Sequence, residues 1–181
     1  MLGVHGALRA CDSVGNDVVL VGRPHVRNAG RMVVGNRVEL KSLPVVSHFV
    51  TGPRGRLEIG DDVFIAHGAA IAAHHHVAIG ANAVIGPFVM IMDTDFHEAG
   101  NYAGAGSTAP ITIGAGARLG AGVTLLRGSV IGAGARLGAR VTVLRGAVVG
   151  AGAVIEAGAV VKGEVAAGAR IAAMPIDRVP A

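Results

Sequence analysis

Aliphatic residues return at every sixth position over most of this chain, a spacing that excludes most folds. Ile79, Ile85 and Ile91 carry it before one interruption. Ile113, Leu119, Leu125, Ile131, Leu137, Val143, Val149, Ile155 and Val161 carry it afterwards without a break. Two residues ahead of each stands a small or β-branched residue, from Ile111, Ala117 and Val123 through to Ala147, Ala153 and Ala159. A period of six matches neither the 3.6-residue stripe of an amphipathic helix nor plain strand alternation. A short strand followed by a tight turn, three to a coil, does match it. Each coil is then a triangle, its aliphatic residues point inward, and neighbouring coils pair their backbones in parallel ladders. Burying one such side chain contributes about 1.5–3 kcal/mol. The burial is achieved by stacking, so a coil alone is not expected to fold.

One coil is present twice. Residues 114–131 read GAGARLGAGVTLLRGSVI and residues 132–149 read GAGARLGARVTVLRGAVV. The shift of one whole triangle keeps every face in phase. Earlier in the chain the pattern is looser. We expect irregular coils and a lead-in over 1–56, the regular column over 57–172 with a loop at 93–110, and a tail at 173–181. Composition agrees with thin layers of small side chains: 29 glycines and 3% aromatic residues in 181. Glycine does not recur every third residue, which excludes collagen. Abundant, regularly placed aliphatics exclude disorder. A net charge of +4 spread over scattered arginines does not suggest nucleic-acid binding. Cys11 is alone, so no intramolecular disulfide is expected. The amino terminus makes a poor secretion signal and no apolar run is long enough to span a membrane, so a soluble cytoplasmic protein is expected.

The interruption carries the chemistry. It opens with Ile91-Met92-Asp93-Thr94-Asp95-Phe96-His97 and closes at Ala109-Pro110. A loop this long inside a compact repeat is usually functional or disordered. Histidine is the side chain best suited to moving protons near neutral pH. Asp93 and Asp95 either orient His97 or contact a substrate, or they cap the turn through local bonds. His74-His75-His76 invites a metal reading. Adjacent residues of an extended chain point to opposite sides, however, so a surface corner is the better reading, and no metal is expected.

The hexapeptide series, the Asp-x-Asp-Phe-His segment, Ala109-Pro110 and the closing Pro175 together resemble the hexapeptide-repeat acyltransferases, in the branch related to sugar O-acetyltransferases. The resemblance implies an all-β fold, a left-handed parallel β-helix, despite the usual right-handed crossover. It also implies a homotrimer with acyl-CoA in a groove between subunits. By that match His97 is the general base that deprotonates an acceptor hydroxyl, and acetyl-CoA is the donor. A positioned base contributes typically 10²–10⁴-fold. Ala121 and Gly122 match the turn facing the thioester, where a backbone N–H can meet the oxyanion. Lys162 is a CoA phosphate contact shifted by one position. Arg170 and Arg178 either face CoA phosphates or solvate the end coil. The slot where many relatives carry an acceptor-orienting Asn is Ala66 here, followed by His67, which would line the acceptor cleft with Asp93 and Asp95. The acceptor expected is a sugar or small metabolite. The alternatives are N-acetylation of an amino sugar, a zinc protein of the gamma carbonic anhydrase type, and an inactive scaffold. For the zinc enzyme, no histidine pair five apart stands in the regular coils.

Overall fold

A computed structural model describes residues 3–98 and 101–173, with the side chains of His5, His97, Glu98 and 101–105 outside that description. The six-residue spacing becomes a three-sided column. Three parallel sheets of eight, eight and seven strands form faces A, B and C, and the chain visits them in that order on every coil. A short antiparallel pair, His97–Glu98 with Asn101–Ala105, lies outside the column. The architecture is a left-handed parallel β-helix. A single helical turn, Val4–Ala7, precedes it, and Leu8 beside that turn is buried.

Ladder pairing begins at Ser13, which stands beside Val33. The coils of the lead-in are therefore coils of the same column, but unequal ones. On face A the paired residues Val34↔Ile59 are 25 apart and Ile59↔Ile79 are 20 apart. Ile113↔Ile131 and Ile131↔Val149 settle at 18. Extra residues in the early coils are taken up at the corners, which is why the period is hidden there. Ile79↔Ile113 are 34 apart, so 16 residues beyond a regular coil are extruded at one corner.

Both residues of each inward pair are buried. Ile111 and Ile113, Ala117 and Leu119, and Val123 and Leu125 are all at most 2% exposed. The larger member stacks on its equivalent one coil away, and the smaller fits beside the vertex. Glycine serves two separate purposes at the corners. A Cβ on Gly138 would lie 2.5 Å from the Ala157 nitrogen, and one on Gly120 2.7 Å from that of Ala139. These glycines are required by the coil beneath, rather than by the sharpness of the bend. The second glycine of a turn, such as Gly134, has φ +66 and nothing within 4 Å of an added Cβ. Asp17, Asp62 and Asn82 take the same conformation at the A–B corner of earlier coils. There Asn36 donates its backbone N–H to Asp61 Oδ1 at 2.8 Å, and Arg37 clamps Asp62 at 2.7 Å through two nitrogens.

Candidate functional site

The extruded loop leaves from the C–A corner, between Met92 on face C and Ile111 on face A. Its neck is anchored twice. Asp93 is fully buried, and its two oxygens accept the backbone N–H groups of His74 and His75, each at 2.7 Å. Asp93 is thus the cap for that corner of the coil above. With no exposed surface it cannot contact an acceptor, which corrects the substrate-binding expectation for this residue. Asp95 reaches the coils below: Arg127 Nε donates to one oxygen at 2.7 Å and Arg145 Nε to the other at 2.8 Å. Burial pushes the Asp95 carboxyl up, but the two guanidinium bonds and charges outweigh it and hold it below the ordinary value of 3.8. Both carboxylate oxygens are therefore occupied by arginine.

Backbone bonds close the neck between these anchors. Asp95 N–H donates to Ser107 O and Ala109 N–H to Asp93 O, both at 3.0 Å. Phe96 has φ +61, its N–H donates to Thr94 Oγ1, and its ring meets His74 edge-on at 5.5 Å. His97 follows directly, pairing with Ala105 in the antiparallel strands. The His97 side chain lies outside the described residues. The backbone fixes only that it starts from the C–A corner.

Ala121 and Gly122 stand on a different corner, B–C, in a groove of about 840 Å³ with Phe88, Ala139, Arg140, Ala157 and Gly158. The groove exists because three successive coils each place an Ala and a residue of positive φ at this corner, as Ala121-Gly122, Ala139-Arg140 and Ala157-Gly158. His67 lies higher on the same vertex, partly buried, with its ring edge-on to Phe88 at 5.2 Å. Ala66 before it is buried, and its carbonyl accepts the Ser47 hydroxyl at 3.4 Å. Arg170 projects from face B and pairs with Glu156 at 3.2 Å, in a second groove with Arg118 and Arg136 that adjoins the first at Ala157. Lys162 is exposed at the loop corner, one coil beyond Arg145. Arg178 lies outside the described residues. Within one chain, then, the expected donor residues are divided: Ala121 and Gly122 on one vertex, Arg170 on the neighbouring face, and Lys162 on the vertex of the loop.

Three residues escaped the sequence reading. Arg127 and Arg145 are 18 apart, so coil periodicity places them in one column. Their shared target, 32 and 50 residues earlier, carries no local signal. Arg140 was legible in the duplicated coil: Gly122 of the first copy is Arg140 in the second, and the other differences are conservative. Arg140 keeps a φ of +58, unfavourable for a side chain with a Cβ, and its Cγ lies over Gly122. Elsewhere, His76 Nε2 lies 3.2 Å from Glu58, and His74 is occupied with Phe96. Among the described residues no group of three His, Cys, Asp or Glu side chains converges as for a metal ion. Burial, with Asp12 adding to it, pushes the Cys11 thiol up to about 11, which leaves it a poor nucleophile. No helix among the described residues is long and apolar enough to cross a membrane.

Two family models match the chain: the bacterial transferase hexapeptide (six repeats) over residues 128–163, and the hexapeptide repeat of succinyl-transferase over residues 103–127. Together they span residues 103–163, about a third of the chain, and agree with its six-residue repeat. Solved structures share the fold. AntD, an N-acyltransferase from Bacillus cereus solved with dTDP and coenzyme A, superposes with a TM-score of 0.66 at 19% identity, over 80% of each chain. UDP-N-acetylglucosamine acyltransferase from Campylobacter jejuni gives 0.58 at 17% identity, over 84% of this chain and 64% of that one. Perosamine N-acetyltransferase from Caulobacter crescentus, solved with CoA and GDP-perosamine, gives 0.50 at 21% identity, over 90% and 55%. No curated protein matches in sequence.

Proposed function

We propose that this protein is an acyl-CoA-dependent acyltransferase that moves an acetyl group from acetyl-CoA to a hydroxyl of a sugar or small metabolite, with His97 as general base. The observation that carries this reading is the extruded loop: a segment beginning Asp-Thr-Asp-Phe-His is held by a buried carboxylate and a doubly bridged one, so the histidine leaves the column from a fixed neck. AntD and the perosamine enzyme, which share the fold, are both solved with coenzyme A, and this supports the donor. The base removes the acceptor proton as the oxygen attacks the thioester carbonyl, and a backbone N–H near Ala121 and Gly122 meets the oxyanion.

The loop and the groove lie on different vertices, so one chain does not hold a whole site. A cyclic trimer that sets the C–A corner of one copy against the B–C corner of the next would unite them. It would also bring Lys162 of one copy towards Ala121 of another. Mixing is a direct test. His97→Ala lacks the base and Ala121→Trp blocks the groove, so each variant alone should be inactive. Co-assembled in equal amounts, about a quarter of sites would combine an intact loop with an intact groove, and thiol release from acetyl-CoA should reappear. No recovery would mean that the site lies within one chain.

A second reading keeps the chemistry and changes the base. His67 shares the groove vertex and touches Phe88, which lines the groove. If His67→Ala abolishes turnover across a panel of sugars, nucleotide sugars and aminoglycosides while His97→Ala retains it, His67 is the base. The same panel separates O- from N-acetylation.

A further inference from the structure

The B–C vertex continues past His67 to a second cavity, at the amino-terminal end of the column. It has a volume of about 440 Å³, and its walls include Arg9, Arg23, His25 and Val46. That size is within the range of small-molecule sites, about 300–1,000 Å³. Three basic residues line it. Among the described residues neither Arg9 nor Arg23 lies within ion-pair distance of a carboxylate. Asp12 is not part of the cavity wall; it binds the backbone N–H of Met32 at 2.8 Å and the Asn28 amide at 2.9 Å, and the cation that acts on it is Arg31. Grouped cations without counter-charge repel one another, and an anion between them relieves that repulsion.

The cavity and the groove are joined by an apolar strip on the same vertex. Leu43, Val45, Val46 and Phe88 are each 41–56% exposed. They lie against successive turns: a Cβ on Gly22 would meet Leu43 at 2.7 Å, and one on Gly68 would meet Phe88 at 2.7 Å and Val45 at 3.4 Å. The coil of Arg23 is three coil rises from that of Phe88, roughly 14 Å. An extended small molecule spans that distance.

We propose that Arg9, Arg23 and His25 form an anion subsite for the acceptor, which carries a phosphate or pyrophosphate group. Its reacting end lies along Leu43, Val45 and Phe88 towards His67. This rests on the acyltransferase reading for the word acceptor, while the anion site itself stands on the cavity. The donor occupies the other end of the vertex, at Ala121 and Gly122.

Calorimetric titration of the full chain with uridine diphosphate, inorganic pyrophosphate and acetyl-CoA separates the outcomes. Both phosphate probes should bind, and Arg9→Ala with Arg23→Ala should weaken them about tenfold or more, with acetyl-CoA affinity unchanged. Arg56→Ala, which removes an exposed arginine of face A away from both the cavity and the grooves, should leave all three unaffected. Absence of phosphate binding, or binding insensitive to Arg9 and Arg23, overturns the subsite. An equal loss of acetyl-CoA affinity in the double variant assigns the cavity to the donor and overturns the acceptor role. Failure of acetyl-CoA to bind the wild-type chain, with the phosphate result intact, defeats the acyltransferase reading alone.

Discussion

Asp93 and Asp95 are two residues apart, which on an extended strand would put them on one side, but the chain bends at Asp93 and separates their roles. The first points into the column and caps the His74–His75 backbone; the second points out and takes Arg127 and Arg145. Asp95 has its pKa depressed in the folded state. Its contribution is therefore present above the ordinary carboxylate value and is lost as pH falls through the lower folded value. Protection of the Asp95 and Ala109 amides, corrected for intrinsic exchange rates, should hold at pH 5 and fall in stronger acid, and Asp95→Asn should remove that pH step. The corner glycines give a sharper contrast. Gly138→Ala places a methyl against the Ala157 backbone and should cost about 1–3 kcal/mol in urea denaturation. Gly134→Asn, at a position where earlier coils carry Asn or Asp, should stay within about 0.5 kcal/mol of wild type. Ser129 is buried in the core column with its hydroxyl unpartnered. Ser129→Ala should be neutral or stabilise by up to about 1 kcal/mol, read from the same denaturation curves.

At the scale of the coil, the duplicated segment predicts which insertions and deletions the column tolerates. Deleting residues 132–149 removes one whole triangle, so Leu119 and Ile131 find equivalent partners in Ile155 and Val165 on the next coil. The shortened chain should still unfold cooperatively, at lower stability. Deleting only 132–137 rotates every later face by one side and should abolish cooperative unfolding. Calorimetry distinguishes the two. The loop is a different kind of element. Its neck is fixed by pairs between residues far apart in sequence, such as Thr94 with Thr108 and Asp95 with Arg145. The column could close without it, through the same Met92-to-Ile111 corner that Leu126-Arg127-Gly128-Ser129 makes one coil later.

At the scale of the molecule, face C presents an outer surface of Ala70, Ala72, Met90, Met92, Leu126 and Leu144 without charge between them, and face B presents arginine. That uncharged stretch, which begins below Arg27 of the same face, lies beside a charged face and suits cyclic association, and light scattering should give three times the 18.0 kDa chain mass. The sequence by itself determined the column, because inward side chains must recur wherever a coil stacks on a coil, and a six-residue period has few other solutions. It also marked the loop as the break in that period. It did not determine which vertex each candidate residue occupies. Coils of 25, 20 and 16 residues break the count, and a carboxylate two positions along can face inward or outward. Only stacking decided that Asp93 is buried, that Asp95 is shared by two arginines, and that the loop and the groove stand on separate corners. Those are contacts between coils, and a linear chain has no coils until it folds.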